Sequence, residues 1–232
     1  LVGGSTMRPQ LASLEHGGIV YVAQRGGDIG ADVRAMPVLL GPTLVLVSVD
    51  ERVQDANWKI AAEAFIEGYH IRATHRETFY PVQYDNLNVV EHFGRNSRVA
   101  YPYRNIERLR EVAPAERRTA GMLTFVYHLF PNVMVATFPK RTIMTVLEPR
   151  GLDGTRFVTY TLADAAVLAA ERSRVQRDAD FVAAGAQEDR AIVESIQRGL
   201  ASEANTAFEY GRFEAAIVHF HRQLGLLLDG PA

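Results

Sequence analysis

Cysteine is absent from the 232 residues, which excludes disulfides, thiolate catalysis and every cysteine-ligated metal site. Long hydrophobic runs are missing too. The most apolar stretch, Met36 to Val49, is 14 residues long and carries Pro37, Gly41 and Pro42, so it is neither a membrane span nor a signal sequence. No targeting segment is visible, and a cytoplasmic location is the expectation. Blocks of one charge sign are lacking as well: the net charge is −2, the basic residues are dispersed, and no Lys/Arg run has interleaved aromatics. Nothing therefore points to nucleic acid as a partner. Internal repeats and low-complexity tracts are also absent. What remains is a globular chain, 47% hydrophobic, long enough for one substantial core or two small ones.

The most informative stretch is residues 57–75, NWKIAAEAFIEGYHIRATH. Trp58, Ala61, Ala62, Phe65 and Tyr69 recur at helical spacing and predict an amphipathic helix, with Asp55 as its N-cap. Glu63, Glu67 and His70 fall at i, i+4 and i+7, so a second stripe consists of ionisable groups alone. Stacked carboxylates beside a histidine call for a cation or a solvated face. His70 and His75 lie five apart, about 140° on an ideal helix, unlike the i, i+4 pair of H-E-x-x-H that shares one face for tetrahedral zinc. A helix breaking just after His70 would let both imidazoles approach one ion, as in the two-histidine, one-carboxylate sites of non-heme ferrous iron. On spacing alone, two ordinary surface or core histidines are the commoner case.

Gly18 to Val22 and Leu44 to Val49 read as strands separated by Gly- and Asp-rich turns, and a further strand is predicted over residues 88–93, followed by the turn Gly94-Arg95-Asn96. Residues 104–112 suggest a short helix ended by Pro114. Strands over 122–129, 133–138, 141–147 and 156–162 are joined by turn-like Phe130-Pro131-Asn132, Pro139-Lys140 and Asp153-Gly154, a closely spaced antiparallel meander. After Asp164 the period becomes helical: one helix to about Ala184 interrupted at Gly185, another from Glu188 to Gly199, and a last one from Phe213 to Leu228. Strands followed by helices indicate an α+β domain, an antiparallel sheet covered by helices.

Asp189 precedes Ile192, Val193 and Ile196 at i+3, i+4 and i+7, so its carboxylate projects from the apolar face, where an unpaired charge is costly. An N-cap role for Asp189 remains open at this point. Glu188 points elsewhere and is expected in solvent. His128 reads as a satisfied structural histidine. His219 and His221, at i and i+2, make a poor chelate, and His92 and His16 carry no pattern.

Asn57-Trp58-Lys59, Glu63, Phe65, Glu67, Tyr69-His70 and His75 together resemble the iron-binding segment in the catalytic domain of Rieske non-heme iron oxygenases, the ring-hydroxylating oxygenase alpha subunits. Phe130-Pro131-Asn132, Glu188-Asp189, Glu194, Gln197-Arg198-Gly199-Leu200, Glu214 and Phe220-His221 follow in the expected order. The resemblance extends from about Gly17 to Leu228. It implies a helix-grip fold, with residues 1–50 leading from a Rieske domain into a catalytic domain over 51–232. It also implies mononuclear Fe(2+) on His70, His75 and Asp189, with Glu67 as the carboxylate that relays electrons from the Rieske cluster of a neighbouring subunit. Ala64 departs from the pattern, since numerous relatives have Asn there.

A two-iron two-sulfur Rieske cluster needs two cysteines and two histidines. None can sit on this chain, which begins at Leu1 without an initiator Met. A fragment, an incompletely represented chain, or a catalytic subunit served by a separate Rieske protein is the expectation. The partners implied are dioxygen, a small organic substrate, a ferredoxin or reductase, and further copies in a homotrimer or trimer-based hetero-oligomer. Phe65, Ile71, Phe125 and Met134 are the candidates for the substrate pocket. The activity implied is hydroxylation of an aromatic compound. Glu rather than Asp at position 67 also resembles the branch that hydroxylates or demethylates quaternary amines. Two rivals outside this chemistry are a non-catalytic helix-grip ligand carrier and a metal hydrolase built on the same residues.

Overall fold

A computed structural model describes residues 11–23 and 30–229; the Gly26-Gly27-Asp28 turn lies outside the described residues. The chain opens with a hairpin, β1 (Ala12–His16) and β2 (Ile19–Ala23), followed by a short helix α1 (Gly30–Arg34). β3 (Leu44–Gln54) leads into α2 (Trp58–Phe65) and the single-turn α3 (Ile71–Thr74). β4 (Val89–Phe93) and β5 (Asn96–Pro102) form a second hairpin, whose two-residue turn places Gly94 at a φ of +60°, a conformation that glycine adopts at little steric cost. A 3-10 helical stretch, Arg104–Glu111, precedes the meander β6 (Leu123–Leu129), β7 (Val133–Phe138), β8 (Arg141–Pro149) and β9 (Thr155–Asp164). Three helices close the chain: α4 (Ala165–Ala170), α5 (Arg172–Leu200) and α6 (Ala215–Leu228).

Strands β3 to β9 form one seven-stranded sheet in the order β3-β9-β8-β7-β6-β5-β4, every pairing antiparallel. The meander and the α+β architecture follow the expectation. β1 and β5 were not anticipated, and residue 50 lies inside β3, which is paired with β9 along its length. The interruption expected at Gly185 is absent: α5 runs unbroken, and the break lies at Glu171 between α4 and α5.

Alternation along the central strands divides the core in two. Val126 and Met134 point toward the helices, into a cluster completed by Ala61, Ala62, Ile66, Val193, Ile217 and Phe220. Their neighbours Tyr127 and Val135 point the other way, into a smaller cluster with Met36 and Leu39, against which Ile19 and Tyr21 of β2 are packed. The hairpin β1–β2 thus covers the back of the same sheet. Among the described residues no helix is long and apolar enough to cross a membrane.

Candidate metal centre

Asn57, not Asp55, caps α2. Its side-chain oxygen accepts from the Lys59 amide at 3.0 Å, while its own amide donates to Gln197 Oε1 at 2.8 Å and ties the start of the helix to α5. The helix ends at Phe65, earlier than its apolar pattern suggests. Buried Tyr101 of β5 explains the stop: its hydroxyl lies 3.1 Å from the Phe65 carbonyl and 3.0 Å from that of Glu67, giving the freed oxygens a donor. Glu63 therefore stays on α2, where it accepts from His221 Nε2 at 2.8 Å, and the expected ionisable stripe does not continue to Glu67 and His70. Tyr69 leaves the apolar face and lies against Phe213.

Past this turn, α3 is a single turn with His70 at its N-terminal boundary and His75 at its C-terminal one. The two rings come within 5.0 Å, inclined by 67°. The third group arrives from α5. Asp189 Oδ1 lies 2.9 Å from His75 Nε2 and 3.4 Å from His70 Nε2, and one ligand atom from each of the three residues falls within 4.8 Å of the others. Because α5 is continuous here, Asp189 is no N-cap. Val193 beside it is buried, whereas Ile192 and Ile196 are exposed.

The other ring nitrogens are already committed. Glu67 Oε1 accepts from His70 Nδ1, and the second oxygen of the same carboxylate accepts from the amides of Tyr69 and His70. His75 Nδ1 donates to Glu188 Oε2 at 2.8 Å, and Thr78 Oγ1 donates to the same oxygen at 2.6 Å. An ionised carboxylate only accepts, so each Nδ1 carries a proton and each Nε2 is the nitrogen left to coordinate a metal. Glu188 was expected in solvent; it instead orients His75. One signal in the sequence pointed to it: two acids in succession on a helix, the second facing inward.

The His75 ring is also wedged edge-on against Phe79, at 4.7 Å between centroids, and Phe79 in turn against Phe181 at 5.3 Å. Gly185 lies beneath Phe79, where a Cβ would come within 2.5 Å of the ring. The glycine that resembled a helix breaker is thus a contact point.

Burial disfavours a charged His70, but hydrogen bonding to Asp189 and Glu67 outweighs it and raises the pKa to about 10. Burial likewise opposes ionisation of Asp189, and the two imidazoles overcome it and hold the carboxyl below its usual range. Positive charge is favoured at the point between these groups.

A cavity of about 930 Å³ opens onto the triad between the sheet and α5, with Ala64, Phe65 and Ile71 in its wall. Two of the pocket candidates lie elsewhere. Phe125 is on the opposite face of the sheet, against the smaller core, because Thr124 and Val126 hold the cavity-facing positions of β6. Met134 faces the helices but is sealed inside the main core, 1% exposed.

Residues 43–230 match the family of ring hydroxylating alpha subunits, catalytic domain. The chain belongs to this family. Solved structures agree on the fold. A quaternary ammonium Rieske monooxygenase, described for carnitine oxidation by gut microbiota, superposes with a TM-score of 0.71 at 16% identity, over 92% of this chain and 61% of the other. Dicamba monooxygenase gives 0.60 at 16% identity over 94% and 69%, and an NdmA mutant of Pseudomonas putida, solved with caffeine, gives 0.58 at 13% over 98% and 63%. The chain spans about 61% of the length of the first of these. A search of curated proteins found no match.

Ring hydroxylating alpha subunits use mononuclear iron in this domain, and the residues present suit it. Two imidazole nitrogens and one carboxylate oxygen form the donor set of non-heme ferrous sites. Asp189 Oδ1 is buried and faces the Nε2 atoms of both histidines, so a cation that took the place of the protons between them would find all three donors in reach.

Proposed function

We propose that this domain is the catalytic part of a terminal oxygenase, with mononuclear ferrous iron held by His70, His75 and Asp189 and electrons delivered from a Rieske centre and a reductase. The observation that carries this reading is the convergence of two Nε2 atoms on a buried carboxylate oxygen, each ring being fixed through its Nδ1 by a second carboxylate. When bound, ferrous iron supplies the activation of dioxygen for hydroxylation of an organic substrate.

The protein's own groups prepare that chemistry. Glu67 and Glu188 keep a proton on each Nδ1 and prevent the rings from turning. Phe79 closes one side of His75 to water. The cavity, with Phe65 and Ile71 in its wall, offers a substrate room beside the triad. Glu67 is also our candidate for the relay, since it grips His70 and retains partial exposure. A relay from another subunit implies a homotrimer or a trimer-based hetero-oligomer.

Iron analysis together with substrate-dependent oxygen uptake tests this reading. We expect one iron per chain, lost in His70→Ala, and no turnover without both dioxygen and reductant. A metal-free protein that binds ligands equally well as His70→Ala would be a carrier. Turnover without dioxygen would make it a hydrolase.

An aromatic substrate is the first reading, and a quaternary amine the second, supported by Glu at position 67 and by the likeness to a quaternary ammonium monooxygenase. Oxygen uptake across aromatic acids, polycyclic hydrocarbons and betaines separates them.

A further inference from the structure

Arg141, the first residue of β8, is 5% exposed and lines the same cavity as the metal triad. Its Nε and Nη2 are closed off from solvent and have no hydrogen-bond partner among the described residues. Other arginines are served: Arg156 reaches Glu51 at 2.7 Å and Glu148 at 2.5 Å, Arg95 reaches Asp32 at 2.6 Å, and Arg104 donates to the Tyr80 carbonyl at 3.1 Å. Asp178 and Asp180 of α5 are near enough to favour the charge on Arg141, yet neither forms an ion pair with it. A guanidinium taken from water without acceptors is costly, because its donors lose hydration and gain nothing in exchange. Its planar fork matches a carboxylate in shape as well as charge.

The cavity follows α5 from Gln176 past Ala179 and Ala186 to Asp189. Lys140, next to Arg141 in the chain, pairs with Glu171 at the N-terminal end of α5, and the acids whose charge acts on Arg141 lie at 178 and 180, about ten helical residues or about 15 Å short of Asp189. Arginine and triad therefore occupy different stretches of one elongated space.

We propose that the substrate is an organic carboxylate whose anionic head docks on Arg141 while the rest of the molecule extends along α5 toward His70, His75 and Asp189. The word substrate rests on the oxygenase reading; the anion site itself rests on the arginine alone.

Calorimetric titration of the intact chain with phenylhexanoate and with its amide tests the site without any turnover. The acid is expected to bind about 100-fold more tightly than the amide, the difference of a buried charge-assisted pair. Arg141→Gln should bring the acid down to the level of the amide and leave the amide unchanged, with Arg141→Lys between. Equal binding of acid and amide by the unmodified chain, no binding of the acid, or retained acid affinity in Arg141→Gln would overturn the proposal. Should Arg141→Gln fail to fold, the acid–amide pair on the unmodified chain and on Arg141→Lys still decides.

A trimethylammonium carboxylate carries the same head on a different tail, and it should lose affinity in parallel if the arginine reads the anion. Tight acid binding without oxygen uptake keeps the anion site and removes the oxygenase. Uptake driven by amides but not acids does the reverse.

Discussion

Two histidine pairs in this molecule sit at similar distances and have opposite characters. The rings of His70 and His75 are 5.0 Å apart and inclined by 67°; those of His92 and His219 are 4.0 Å apart and nearly parallel, at 10°. In the first pair each Nδ1 is held by a carboxylate and each Nε2 faces a third. In the second, no carboxylate among the described residues hydrogen-bonds either ring, and burial lowers the pKa of both, the pair further depressing His219. Closeness alone makes a stack of neutral rings. Acids placed behind and between the rings give an arrangement that suits a cation.

Removing the converging oxygen should break this contrast most completely. Asp189→Ala or His75→Ala is expected to reduce bound iron to below about a tenth of an equivalent and abolish oxygen uptake, since two donors hold a divalent ion poorly; plasma emission analysis measures the first. Glu188→Gln keeps size and hydrogen-bonding capacity but removes the charge behind His75. Its iron affinity should drop by about 10–100-fold, with partial recovery in Glu188→Asp, read by competition with a chelator. Gly185→Val would drive a side chain into Phe79 and tilt His75, at about 1–3 kcal/mol of stability from overpacking and with weaker iron retention, seen in paired melting curves of metal-free and metal-loaded protein.

His128 supplies a third kind of histidine, buried, neutral and donating from Nε2 to the Pro131 carbonyl at 2.8 Å. Burial takes its pKa down to about 4. The unfolded chain, with an ordinary histidine, binds the proton first as pH falls. The contribution is therefore full above about pH 6.5 and is lost toward pH 4, about 3 kcal/mol in all. Urea melts of the metal-free protein at pH 7 and pH 4.5 should show this slope, reduced in His128→Gln. The smallest effect belongs to the stacked pair: His92→Phe should leave iron affinity within about twofold, because aromatic replacement preserves the packing and the pair lies outside the group around Asp189. A larger loss would blur the contrast between the pairs.

The meander was legible because its strands are short, apolar and separated by turn residues. β5 was not, since Asn96–Pro102 is buried on both faces and shows no alternation. The same double burial hid which residues of β6 and β7 face the cavity, and Phe125 and Met134 were misplaced for that reason. At the centre, His70, His75 and Asp189 are brought together as the resemblance implied, but the local reasoning behind them differed. The helix stops at Phe65 because Tyr101, distant in sequence, supplies a donor for the freed carbonyls. Gly185 suggested a break because its propensity was visible and its contact with Phe79 was not. That false break put Glu188 at a helix start and concealed its bond to His75.

Glu188 and Asp189 are consecutive, yet they grip opposite nitrogens of the same imidazole. Such a pincer depends on the rotational phase of α5 more than on either acid. Deleting a single residue of α5 upstream of the pair would screw both carboxylates round by about 100°, so a length change several turns away should disarm the centre as surely as losing a ligand.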